Sequence, residues 1–354
     1  MATQSAQGDQ GANDQERSFG IAPALAVAAS ALVTLALVMS LTYWLGRRTE
    51  TSLRFLEPRR APTVDEAVIA HPIEYALDNH ESNDVVFLGD STCLAGIDPL
   101  RLQGLRGYNL GSQGSLGPIG TLVTAKAYLE NHPLPRVLVL CFTPFRFEVN
   151  TGVAGGRLPN RFIASYGPEV QGVVPRATSV EYFLKRGAAS LLSERQRDVR
   201  DDPLEGMTSQ TYWTLQRRTY EARGHFALSG AHGGKWFVDE PPPPKLILDE
   251  WDSAIRQIAG LCNDSGVPLV LLFSPIWDEV SRSRDFSPLE RWGRQLEAAY
   301  PRVKAARPVV LAYARPFMWD AIHLNEAGVQ KFMPTVATNV QAAIAAQSAR
   351  ASVP

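Results

Sequence analysis

Apolar positions follow three rhythms along this chain. From Phe19 to Leu45 they are unbroken: "FGIAPALAVAASALVTLALVMSLTYWL" carries no charge over 27 residues, more than the ~20 that a helix needs to cross a bilayer. Further on come short apolar runs of strand length, separated by amphipathic stretches with helical spacing. Val85–Gly89 ("VVFLG"), Tyr108–Leu110, Arg136–Phe142, Val267–Pro275 and Val309–Ala314 read as strands. Their continuous apolar character is that of strands covered on both faces. Asp98–Leu105, Pro118–His132, Leu246–Gly266, Pro288–Tyr300 and Asn325–Gln347 read as helices. Leu122, Ala125 and Leu129 share one face of the second, and Trp251, Ile255, Ile258 and Leu261 one face of the third. Pro118 suits a first helical turn, Gly266 a stop and Asn325 a cap. The alternation predicts an α/β fold, a three-layer sandwich around a mostly parallel five-stranded sheet.

The flanks are of another kind. Residues 1–18 are polar and aperiodic and read as a disordered tail. Residues 19–45 read as a transmembrane helix with Tyr43 and Trp44 at an interface; the apolar region of a cleaved signal peptide runs only ~7–15 residues. Residues 46–64 form an Arg- and Pro-containing linker, and the folded domain spans 65–354. Within it, residues 149–245 are an insertion too long for an ordinary connection. The insertion is either a surface excursion with its own small core or a cap over a site. Arg17 alone precedes the span, whereas Arg47, Arg48, Arg54, Arg59 and Arg60 follow it. The positive-inside rule, taken literally, puts the large domain in the cytoplasm.

Charge narrows the partners. With 35 basic and 36 acidic residues the net charge is -1, so no global bias toward nucleic acid exists and none is expected as a partner. Cys93, Cys141 and Cys262 cannot all pair within one chain and have no metal-site spacing, so no metal or other cofactor is expected. They read as buried thiols, Cys93 lying two residues beyond Ser91.

The first strand breaks off into "GDST", leaving Ser91 at its end. A serine hydroxyl becomes a useful nucleophile only when a base takes its proton and a third group fixes that base. Of six histidines, only His323 also has an acid at hand, Asp320, in "WDAIHLNEAG" before the last helix. A strand-terminal GDS early in an α/β domain and a D-x-x-H before its final helix resemble the SGNH (GDSL-like) hydrolase superfamily over about Asp84–Ala345, the insertion excepted.

That resemblance implies an SGNH/flavodoxin-like sandwich in which Ser91 is the nucleophile, His323 the base, Asp320 its orienting acid and Asp90 a structural support of the turn. It further implies an oxyanion hole built from the N–H groups of Ser91 and Gly114, the glycine five residues beyond Asn109, with Gly111 as the lesser alternative. Where the family carries Gly-x-Asn-Asp after the third strand, this chain reads "CFTPFRF" with Pro144 at the Asn position, so the hole either has two donors or borrows one from Thr143 or the insertion. The anchor, the GDS and the D-x-x-H together are similar to the membrane-anchored branch of polysaccharide O-acetylation proteins. This branch implies a domain outside the cytoplasmic membrane, a carbohydrate or acyl-ester substrate and a membrane-bound O-acyltransferase partner. The alternatives are a membrane-tethered lipase or thioesterase, and a catalytically silent assembly subunit of a polysaccharide-modifying complex. Trp236 and Trp319 read either as sugar-stacking surfaces or as packing.

Overall fold

The structure, a computed structural model, describes residues 12–51, 64–78, 81–112, 117–145, 147, 217–228, 247 and 249–351. The N-terminal helix and the α/β domain belong to separate compact units.

Helix α1 (Ala12–Thr51) runs for 40 residues. It thus takes in part of the polar tail and part of the linker. Within it Leu25–Trp44, 20 residues of mean hydropathy 2.2, is long and apolar enough to cross a membrane. Leu25, Val27, Leu32 and Leu37 are all exposed, the reverse of how a soluble helix distributes such residues.

The domain alternates as the hydrophobic runs predict. Helix α2 (Val64–Asp78) leads into β1 (Val85–Gly89), α3 (Ser91–Gly96), β2 (Gly107–Gly111), α4 (Gly117–Asn131) and β3 (Val137–Phe142). Then follow α5 (Asp249–Ser265), β4 (Leu269–Phe273), β5 (Ile276–Trp277), α6 (Asp278–Arg282), α7 (Ser287–Ala299), β6 (Val303–Ala305), β7 (Ala312–Tyr313) and α8 (Glu326–Ala351). Five strands form one sheet in the order β2-β1-β3-β4-β6, and every neighbouring pair is parallel. Val86, Leu88, Leu138, Leu140, Leu269 and Leu271 face one core layer, while Val85, Phe87, Val137, Val139, Val270 and Leu272 face the other. Burial on both faces is why these strands show no polar alternation.

Two expectations need correction, and one helix was not expected. The fifth strand is Val303–Ala305, which pairs with Leu269–Leu271. Residues 309–314 contribute only Ala312–Tyr313, paired with Ile276–Trp277 in a separate two-stranded ladder. The edge strand alternates buried Val303 with exposed Lys304, so it lacks the continuous apolar signature, whereas the run after Pro308 places Val309 and Val310 against the helical layer. Asp98–Leu105 holds only a single 3-10 turn, Pro99–Arg101, capped by the Asp98 carboxylate on the Leu100 N–H. Helix α2, with Pro72 inside it, was not signalled by periodicity.

From β1 the chain passes to β2 on one side and afterwards to β3 on the other. The carboxyl ends of β1 and β3 therefore border the crevice where open α/β sheets bind ligands. Ser91 lies at this place.

Candidate active site

The sequence of β1 makes the turn that presents Ser91. A Cβ on Gly89 would lie 1.7 Å from the Cys141 carbonyl oxygen and 2.8 Å from the Cys93 Cβ; only glycine lets α3 fold back this tightly. Asp90 caps α3: its Oδ1 accepts from the Thr92 N–H at 2.9 Å and from the Thr92 hydroxyl at 2.6 Å. Its Oδ2 accepts from the Thr143 N–H at 3.2 Å, tying the turn to the end of β3. Ser91 opens the helix, so the helix itself has no use for its N–H.

Asn109 secures the far end of that helix. Its Nδ2 donates to the carbonyls of Cys93 at 2.9 Å and Ile97 at 2.8 Å, and more weakly to Leu94 at 3.4 Å. Its Oδ1 accepts from the Gly111 N–H at 2.8 Å. The sequence marked Asn109 only by its spacing to a glycine; a fully buried Asn inside an apolar strand was the available signal.

The remote partners arrive on the loop before α8. Asp320 Oδ1 accepts from the N–H groups of Ile322 at 2.8 Å and His323 at 2.7 Å, closing a tight turn. Its Oδ2 sits 2.8 Å from His323 Nδ1. The other face of the imidazole completes the relay, with Nε2 2.9 Å from Ser91 Oγ. Side-chain exposure is 17% for His323 and 12% for Asp320. Burial pushes the Asp320 carboxyl up, but the hydrogen bond and charge of His323 and the two N–H donors outweigh it and hold the acid below its ordinary value. Trp319 meets the His323 ring edge-on, centroids 6.1 Å apart at 79°. Asn325 caps the following helix by accepting from the Gly328 N–H at 3.0 Å.

Such an arrangement can deprotonate a hydroxyl. With Asp320 accepting from Nδ1–H, Nε2 is left as the proton acceptor facing Oγ.

Ser91, His323 and Asp320 thus come together. Gly114 and Trp236 lie outside the described residues, as does most of the 149–245 insertion. The Thr143 N–H is committed to Asp90 and the Gly111 N–H to Asn109, which leaves Thr143 its hydroxyl as a donor. The hydroxyls of Ser112, Thr143 and Ser274, each the residue just after a sheet strand, are buried without a partner among the described residues. Of the three, Thr143 alone was marked by the sequence, as a possible donor to the oxyanion hole. Burial holds the Cys93 thiol well above its ordinary value, which makes it a poor nucleophile. Among the described residues, no group of three or more His, Cys, Asp or Glu could hold a metal ion.

No family model matches the chain, and no curated protein matches its sequence. Among solved structures, one from Streptococcus pneumonia, provisionally named as a platelet activating factor, is similar over 78% of this chain and 92% of its own, at 12% identity and a TM-score of 0.39. A likeness this distant says nothing of chemistry.

Proposed function

We propose that this chain is a membrane-anchored SGNH-type serine enzyme that transfers or removes acyl groups, acetyl above all, on an envelope or exported carbohydrate. One observation carries the reading: the unbroken relay from Ser91 Oγ through His323 to the Asp320 carboxylate. In this reading His323 Nε2 takes the Ser91 proton as Oγ attacks an ester carbonyl. The N–H groups of Ser91 and Gly114 meet the oxyanion, and each such donor is worth about 10²- to 10³-fold in rate. His323 then protonates the departing alcohol, leaving an acyl-serine. A water or sugar hydroxyl, deprotonated by the same nitrogen, attacks that ester and releases Ser91. Hydrolysis and transfer differ only in this last acceptor.

The supporting context is the strand-terminal GDS, the D-x-x-H loop and the apolar helix that precedes them, in the order of the superfamily's anchored branch. A membrane-bound O-acyltransferase is the partner this order implies. Full-length protein in detergent should turn over 4-nitrophenyl acetate and accept a fluorophosphonate on Ser91. Ser91→Ala should lose both, with about 10⁴-fold or greater loss of turnover and an unchanged melting temperature. Undiminished turnover in the variant removes Ser91 from the mechanism. Preference for acetate over long-chain esters separates a carbohydrate enzyme from a lipase.

A further inference from the structure

The insertion touches the turn that carries Ser91. Residues 217–228, the part of it that is described, form a short helical stretch and then a turn in which Arg223 has φ 55° and Gly224 φ 84°. Beyond the turn the chain runs along the outer edge of β2. The Asn109 N–H donates to the Arg223 carbonyl at 2.8 Å, and the Phe226 N–H donates to the Leu94 carbonyl at 3.1 Å. The approach is as close as a backbone allows, because a Cβ on Gly224 would lie 1.8 Å from the Asn109 carbonyl oxygen.

This strap is held firmly at its start. Arg223 donates from Nη1 to Glu81 at 3.0 Å and from Nε to the Gly107 carbonyl at 3.0 Å, bonds Asn83, and lies over the Tyr108 ring at 4.9 Å. Next along, His225 is 9% exposed, with Asp98 and Glu326 as its charged neighbours. Through the Phe226 N–H the strap shares with Asn109 the Leu94 carbonyl near the end of α3.

Helix α3 has six residues, too few to hold its own shape. Its start is fixed by Asp90 and its end by Asn109 and the strap, and Ser91 is its first residue.

We infer that the Arg223–Phe226 strap is a positioning element for Ser91: by bonding the Leu94 carbonyl and the Asn109 N–H it sets the seat of α3 and so the reach of Oγ to His323. The inference rests on Ser91 being the nucleophile. The strap touches no substrate in this scheme.

The test uses the full chain in detergent with two variants. Phe226→Pro removes the N–H that bonds Leu94, whereas Phe226→Ala removes the same ring and keeps that N–H. Turnover of 4-nitrophenyl acetate, labelling by a fluorophosphonate and hydrogen exchange of the Ser91–Gly96 amides are read together. Relative to Phe226→Ala, Phe226→Pro should lower kcat and the labelling rate by about 10- to 100-fold, the scale of an ångström's misplacement, with KM within about twofold and faster α3 exchange. Equal kcat and equal exchange in the two variants overturn the inference. Faster exchange with undiminished kcat also overturns it, since the strap would then hold the helix without setting Ser91. If wild-type protein neither turns over nor labels, it is the nucleophile reading that fails, and exchange alone still decides whether the strap holds α3.

Discussion

Asp320 has both oxygens engaged, one by the turn that shapes its loop and one by the His323 ring. An amide cannot do both: in Asp320→Asn an Nδ2 donor facing Nδ1 forces the imidazole into the tautomer that turns an N–H toward Ser91. Turnover should then fall by about 10⁴-fold with little change in KM, read by steady-state kinetics on 4-nitrophenyl acetate. The same carboxylate ties stability to pH. Its pKa is held below the ordinary carboxylate value in the folded chain, so its contribution is fully present above that ordinary value and disappears as the pH falls through the folded pKa. The gap in melting temperature between wild type and Asp320→Asn should therefore narrow on acidification below the ordinary carboxylate range. Ser91, His323 and Asp320 were legible in the sequence because proton transfer needs particular residue types, and a D-x-x-H spacing is local. Asn109 and the Arg223–Phe226 strap were not, because what they bind is main chain, and every residue has that.

Elements bring these side chains to one another, and their seams are where small changes act. Gly328, in the first turn of α8, packs against the loop that carries the base: a Cβ there would lie 2.0 Å from the Phe317 carbonyl oxygen. Gly328→Ala should push that loop outward, lengthen the His323 to Ser91 contact and lower kcat by about 10- to 100-fold. A Ser91 labelling rate that stays at the wild-type value would refute this. The three inner strands, β1, β3 and β4, could be read directly from the chain because burial on both sides leaves a continuous apolar run. The edge strand Val303–Ala305 could not, for only its two ends need be apolar. Helix α3 left no periodic trace either; at six residues it exists through its caps and its strap.

At the scale of the whole molecule, two signals disagree. The arginines after the apolar helix favour the cytoplasm for the domain, whereas the anchored SGNH branch it resembles keeps this domain outside. We expect the resemblance to prevail, since the proposed function places its carbohydrate substrate on that side. Alkaline phosphatase fused after Pro354 should be active and a fluorescent protein at the same place dark; the opposite pair of results puts the domain in the cytoplasm.

The distance along the chain between Ser91 and its base has a consequence in time. The two residues that share a 2.9 Å hydrogen bond are separated by 232 positions. Synthesis runs from the N-terminus, so the apolar helix emerges before the serine, and the strap only after more than a hundred further residues. The imidazole comes later still, just ahead of α8. A chain halted between residues 91 and 323 holds the Ser91 hydroxyl without its His323 acceptor. Reactivity at Ser91 is thus gained only once His323 has been made, after the helix that would enter the membrane.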